Sequence, residues 1–246
     1  MFSSTVVSTR LQRKSIQLAL LLAIVSVAVL AAEPVDARWT LGHAPGPLNH
    51  ESRGSFQTED GWVAIKTDDG VLFVWNVHDL HFTLAVKGKD IKPVNDPDHI
   101  FFAVDGKILQ IQAAAIRDFA PDAKQKKLDD KALLIAHREW ESKYIEELLK
   151  SKLTLHSFSV NISGLGTGSL WEYDMPEGMS AEVKTQLYLT VVRGDYVVML
   201  NCEATTANPE VEARKFLLDT MATLKTSAEP IDVQKLSESI RAGRKP

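Results

Sequence analysis

The chain has 246 residues and a mass of 27.3 kDa, with 45% hydrophobic and 24% charged residues, a composition that excludes a disordered or collagen-like polypeptide. A formal charge of −4 and a pI near 6.0 lack the basic footprint that nucleic-acid binding requires, so no nucleic-acid partner is expected.

Arg10, Arg13 and Lys14 precede an uncharged apolar run over 16–32. An apolar helix with a basic flank inserts into a membrane with the basic end on the cytoplasmic side. The run lies at the short end of the roughly 17–25 residues that span a bilayer. Ala31-Ala32 and Val35-Asp36-Ala37 offer small residues to a signal peptidase. Residues 1–37 therefore read as a signal peptide, with an uncleaved N-terminal anchor as the alternative. The protein is expected to be exported, periplasmic or extracellular, and to touch a membrane only through this segment if it is uncleaved. The remaining chain of about 210 residues suits one domain with a sizeable core. Cys202, the single cysteine, lies in the apolar stretch 197–202, which makes it a core residue of a fold held by packing without disulfides.

Residues 38–58 carry Gly, Pro, Asn and Ser without periodicity and read as a linker or arm. Residues 62–67 and 71–77 are rich in β-branched and aromatic residues and are joined by Asp68-Asp69-Gly70, a hairpin signal. A third strand is expected over 81–86, a turn-rich loop over 92–98, and a second hairpin from 100–104 and 107–116 across Asp105-Gly106. Residues 123–150 read as one long helix whose Leu133, Ala136, Trp140, Tyr144 and Leu148 share a face. Its Glu139–Lys143 and Glu146–Lys150 spacings read as a solvated outer face. Strands follow at 154–162 and 168–173, then a hairpin of 183–192 and 196–204 across Arg193-Gly194-Asp195. Asn208-Pro209-Glu210 starts a helix whose Ala213, Phe216, Leu217, Met221 and Leu224 form an apolar arc. A short helix over 231–241 and a basic tail close the chain, so the domain is 59–228 and the C-terminal segment 229–246.

The helix at 123–150, Leu170-Trp171-Glu172-Tyr173, the hairpin 187–200 and the closing helix 213–221 together resemble the PsbP-type fold, shared by thylakoid-lumen proteins and a Ran-binding nuclear relative. The resemblance covers about half of the chain and lies in pattern and order. It implies an α+β fold in which an antiparallel sheet is flanked by helices as a three-layer α/β/α sandwich. It also implies a binding or assembly role more often than catalysis, and carries over no contact residue.

No motif in the sequence assembles a reaction centre. His78 and His81 are three apart on a strand and point to opposite faces, so they read as loop histidines. Asn95-Asp96-Pro97-Asp98 lacks the Gly and distant Glu of a calcium loop. His137 and Glu141 share a helical face without the His-Glu-x-x-His order of a zinc site. The glycines of 164–168 precede a strand and not a helix N-terminus, so they join strands and do not cradle phosphate. Arg193-Gly194-Asp195 is explained by a turn, and Asn161-Ile162-Ser163 is a formal glycosylation acceptor. No catalytic, cofactor-binding or metal-binding residue is assigned and no cofactor is expected. The leading reading is an exported, non-catalytic binding or assembly-support protein whose partner is a protein or small ligand. A secreted hydrolase with dispersed catalytic residues and a small-ligand carrier are the alternatives.

Overall fold

A computed structural model describes residues 42–43, 61–94, 96 and 99–243. The apolar run 16–32, the cleavage points and the tail after Gly243 lie outside the described residues. Among the described residues no helix is long and apolar enough to cross a membrane.

The described residues form two sheets, antiparallel at every pairing. The smaller has the order β1 (Gly42–His43), β2 (Gly61–Thr67), β3 (Gly70–Val77), β4 (Leu80–Lys87), β12 (Lys225–Ser227). The larger has the order β5 (Ile91–Val94), β6 (Ile100–Val104), β7 (Lys107–Ala115), β11 (Tyr196–Thr205), β10 (Val183–Arg193), β9 (Gly166–Asp174), β8 (Leu155–Ile162). Turn chemistry accounts for the hairpins. Asp105 (φ 48°) and Gly106 (φ 81°) supply the two positive φ angles of a turn whose twist matches its strands. Gly70 acts differently from the expected turn glycine. The loop itself is Asp68-Asp69, and a Cβ on Gly70 would stand 2.1 Å from the Val86 carbonyl oxygen, so the glycine permits close approach of β3 to β4.

Alternation along the strands divides the larger sheet into two faces. One face buries Phe102, Leu109, Ile111, Leu187, Leu189, Val198, Leu200 and Cys202 against two covers. The first is the smaller sheet, whose Phe73 meets Phe102 edge to face at 6.0 Å. The second is helix α4 (Glu210–Met221), which contributes Ala213, Leu217 and Met221. The opposite face packs Trp171, Tyr173, Tyr188 and Met199 against Ile145 and Leu149 of helix α3 (Asp130–Leu149). It also packs Val192 and Val197 against Leu133, Leu134 and the short helices α1 (Ile116–Phe119) and α2 (Ala123–Lys126).

The expected α+β fold, a three-layer α/β/α sandwich, is therefore not formed. Of the described residues 46% are strand and 27% helix, and a second sheet fills much of the layer assigned to a helix. The physical reason lies in β2, β3 and β4. Their in-facing Phe73, Phe82, Leu84 and Val86 are 0–1% exposed, enough apolar surface to build a covering layer of their own.

Several elements differ from the sequence reading in detail. The long helix is interrupted: Lys127 takes a left-handed conformation (φ 51°, ψ 47°) and Asp129 caps a new start by accepting from the Ala132 N–H. Its buried residues are Leu133, Leu134, His137, Ser142, Ile145 and Leu149, whereas Ala136, Trp140, Tyr144 and Leu148 are half-buried at the margin. Glu146 does not pair with Lys150. It binds Lys152 at 2.6 Å and accepts from the Leu153 N–H, tying the chain into β8. Asn208 does not cap α4 either, since its Nδ2 donates to the Glu203 carbonyl and Pro209 holds the cap position. Strands β5 and β12 occupy stretches read as loop or left unassigned. The C-terminal helix α5 (Val233–Arg241) is held to β3 through Asn76, whose side chain donates to the Ile231 carbonyl at 2.8 Å and accepts from the Ile231 N–H at 2.9 Å.

Candidate functional site

Apart from His137 and Glu141 on one face of α3, the residues singled out in the sequence do not converge. His78 (φ 53°) is exposed in the β3–β4 turn, while His81 is 6% exposed within β4, buried where a loop histidine was expected. Asp96 holds the His99 ring at 2.9 Å and accepts the His99 N–H, whereas Asn95, Pro97 and Asp98 lie outside the described residues. Gly164 and Gly166 turn the β8–β9 hairpin. The Arg193-Gly194-Asp195 turn is engaged by its own chain: Arg193 donates to the Leu165 carbonyl at 3.0 Å and Asp195 binds Lys124 at 2.7 Å. Cys202 is fully buried, and burial pushes its thiol up to about 12, the opposite of an activated nucleophile. Among the described residues no three His, Cys, Asp or Glu side chains come together to hold a metal.

Polar groups gather instead beneath α3. The strand registers align Ser157, Trp171, Tyr188, Asn201, Gln110 and Phe101 in one row across the larger sheet. Trp171 stacks on Tyr188 at 4.0 Å and 7°. Asn201 Nδ2 donates to the Gln186 side chain at 3.2 Å and the Leu187 carbonyl at 3.0 Å. From the helix side come His137, against Phe119 at 5.2 Å, and Glu141, close enough to disfavour ionisation of Tyr173 and Tyr188. Gln110 Nε2, His137 Nδ1 and Trp171 Nε1 have no hydrogen-bond partner among the described residues.

The electrostatics of this cluster have one direction. Burial lowers His137 to about 4, raises Glu141 and Glu203 to about 7, lifts Tyr173 to about 12 and holds Tyr188 well above its usual value. Every group is driven toward its neutral form. The common cause is desolvation, which gives this face the character of a packed polar interior. A groove of about 280 Å³ beside α4, lined by Lys87, Lys107, Phe216 and Asp219, falls just below the roughly 300–1,000 Å³ of small-molecule sites.

Among the described residues β8 forms an unpaired edge of the larger sheet. A bare edge strand templates pairing with another chain, and proteins blunt it by shortness, Pro or Lys. Three of the four outer strands follow that rule. β1 has two residues, β12 has three and includes Lys225, and β5 has four and includes Lys92 and Pro93. β8 breaks it. It has eight residues (LHSFSVNI) without Pro, Lys, Arg, Asp or Glu, and pairs with β9 in unbroken register from Leu155↔Tyr173 to Ile162↔Gly166. His156, Ser157, Phe158, Ser159 and Asn161 are exposed.

Phe158, 43% exposed, is held in place from the core side. Its ring lies 4.9 Å from the Arg214 guanidinium of α4, which donates through Nε and Nη2 to both oxygens of Glu172 and also pairs with Glu210. Glu172 is 4% exposed, so the Arg214 charge is fixed by a buried carboxylate and in turn positions the aromatic ring. The sequence shows β8 as an uncharged run but not that it ends the sheet, because edge position is set by the pairing of all seven strands. No known protein-family model and no curated protein matches the chain.

Proposed function

We propose that this protein is an exported, non-catalytic binding protein that receives an extended polypeptide along β8. The observation that carries the reading is the contrast among the edges: among the described residues the other outer strands are blunted, and β8 is long, regular and uncharged. Main-chain groups on such an edge supply affinity, and alternate side chains supply selectivity. The basic-flanked apolar run at 16–32 supports export.

The reading is tested by placing a photo-activated crosslinking residue at Ser157 in β8, with controls at Lys92 in β5 and Thr226 in β12, in the native host. A discrete adduct from Ser157 and none from the controls is expected. No adduct from Ser157, or the same adducts from all three positions, would contradict it.

A further inference from the structure

We infer that the polypeptide received along β8 is the β8 strand of a second copy, so that two chains join their seven-stranded sheets edge to edge about a two-fold axis. This deepens the proposed binding role and rests on it. An antiparallel pair related by a two-fold axis normal to the sheet keeps both faces in common, so opposed residue numbers sum to an even value. Centring on Phe158 sets Phe158 against its own counterpart, His156 against Val160, Ser157 against Ser159 and Leu155 against Asn161. β8 contains no Lys, Arg, Asp or Glu, so no like charges face each other in this pairing. Phe158, the largest exposed apolar side chain of the strand, would lie at the axis in an aromatic pair, each ring backed by its own Arg214. Every residue of the strand can remain paired to β9 while this happens, because the β8–β9 ladder has no bulge and faces the other way.

The test uses the full chain in mild detergent, so that the apolar run at 16–32 does not itself drive association. Light scattering at tens of micromolar is expected to give twice the chain mass. Because Ser157 faces Ser159 of the other copy, S157K/S159K sets ammonium against ammonium and is expected to halve that mass. S157K/S159E sets ammonium against carboxylate and is expected to keep the dimer, which also controls for folding. In F158C the Cα atoms of the paired residues would stand about 4.5–5.5 Å apart, within disulfide reach, and oxidation is expected to crosslink most of the protein. The native Cys202 is buried and contributes no background. A monomeric wild type, or the same mass for both double variants, would overturn the inference. A monomer whose Ser157 still yields an adduct to a different protein would overturn the second-copy assignment and leave the binding role standing; a monomer without adducts would sink both.

Discussion

Arg214 shows how one side chain joins the core to the edge. Its guanidinium satisfies Glu172, a carboxylate 4% exposed in β9, and at the same time lies against Phe158 in β8. Removing the partner of a buried carboxylate leaves its charge uncompensated, so Arg214→Met is expected to cost about 1.5–3 kcal/mol in urea unfolding. The double variant E172M/R214M, which removes both charges, is expected to recover most of that loss. Glu141 makes a separate prediction. Burial raises its carboxyl from 4.5 to about 7 in the folded chain. Between those values the unfolded chain has released the proton and the folded chain keeps it, so this contribution is complete below pH 4.5 and is lost as pH rises through about 7. Glu141→Gln removes the loss and is expected to be more stable than wild type by on the order of 2 kcal/mol at pH 8, with little difference at pH 4.5. Thermal unfolding at the two pH values measures it.

The helix ends carry identifiable strain and the strands carry identifiable signals. Lys150 closes α3 in the left-handed region (φ 52°, ψ 33°), where a Cβ is unfavourable. Lys150→Gly is expected to stabilise the fold by about 0.5–1 kcal/mol, read as a rise in the unfolding midpoint. The main hairpins were legible in the sequence because β-branched and aromatic runs such as 100–104 and 187–192 stop at Asp-Gly or Gly-Asp turns. The short strands were not. Lys92-Pro93 and Lys225-Thr226-Ser227 have weak β propensity and become strands only because β6 and β4 offer them partners. The face of α3 was misplaced by about one position. Trp140 and Tyr144 are amphipathic and sit at the margin, whereas the polar His137 is buried, a placement that hydrophobic periodicity cannot weigh. The candidate site was legible only as an uncharged run containing Phe158.

The molecule as a whole is a larger sheet covered on one face by a smaller sheet and α4 and on the other by α3. Tyr196 bridges the two sheets by donating to Asp79 in the β3–β4 turn, and Thr223 links the end of α4 to β4 through the Ala85 N–H and carbonyl. The C-terminal segment is tied to β3 by two hydrogen bonds, one donated by Asn76 and one accepted by it, and α5 has no buried residue. Asn76→Ala is expected to lower stability by about 1–2 kcal/mol and to speed proteolysis at Lys235 and Arg241 well before global unfolding, as limited trypsin digestion would show. The layer order was not legible because strand count and sequence order leave open whether three N-terminal strands extend one sheet or cover it. That choice is made by Phe73, Phe82 and Leu84 packing across onto Phe102 and its neighbours. The edge that results is β8, and hydrogen exchange over 155–162 in the native assembly reads whether another strand fills it. Protection is expected along the whole strand, falling to the inward-facing half of the amides in S157K/S159K. Equal, half-protected exchange in both proteins would contradict the claim that β8 is filled.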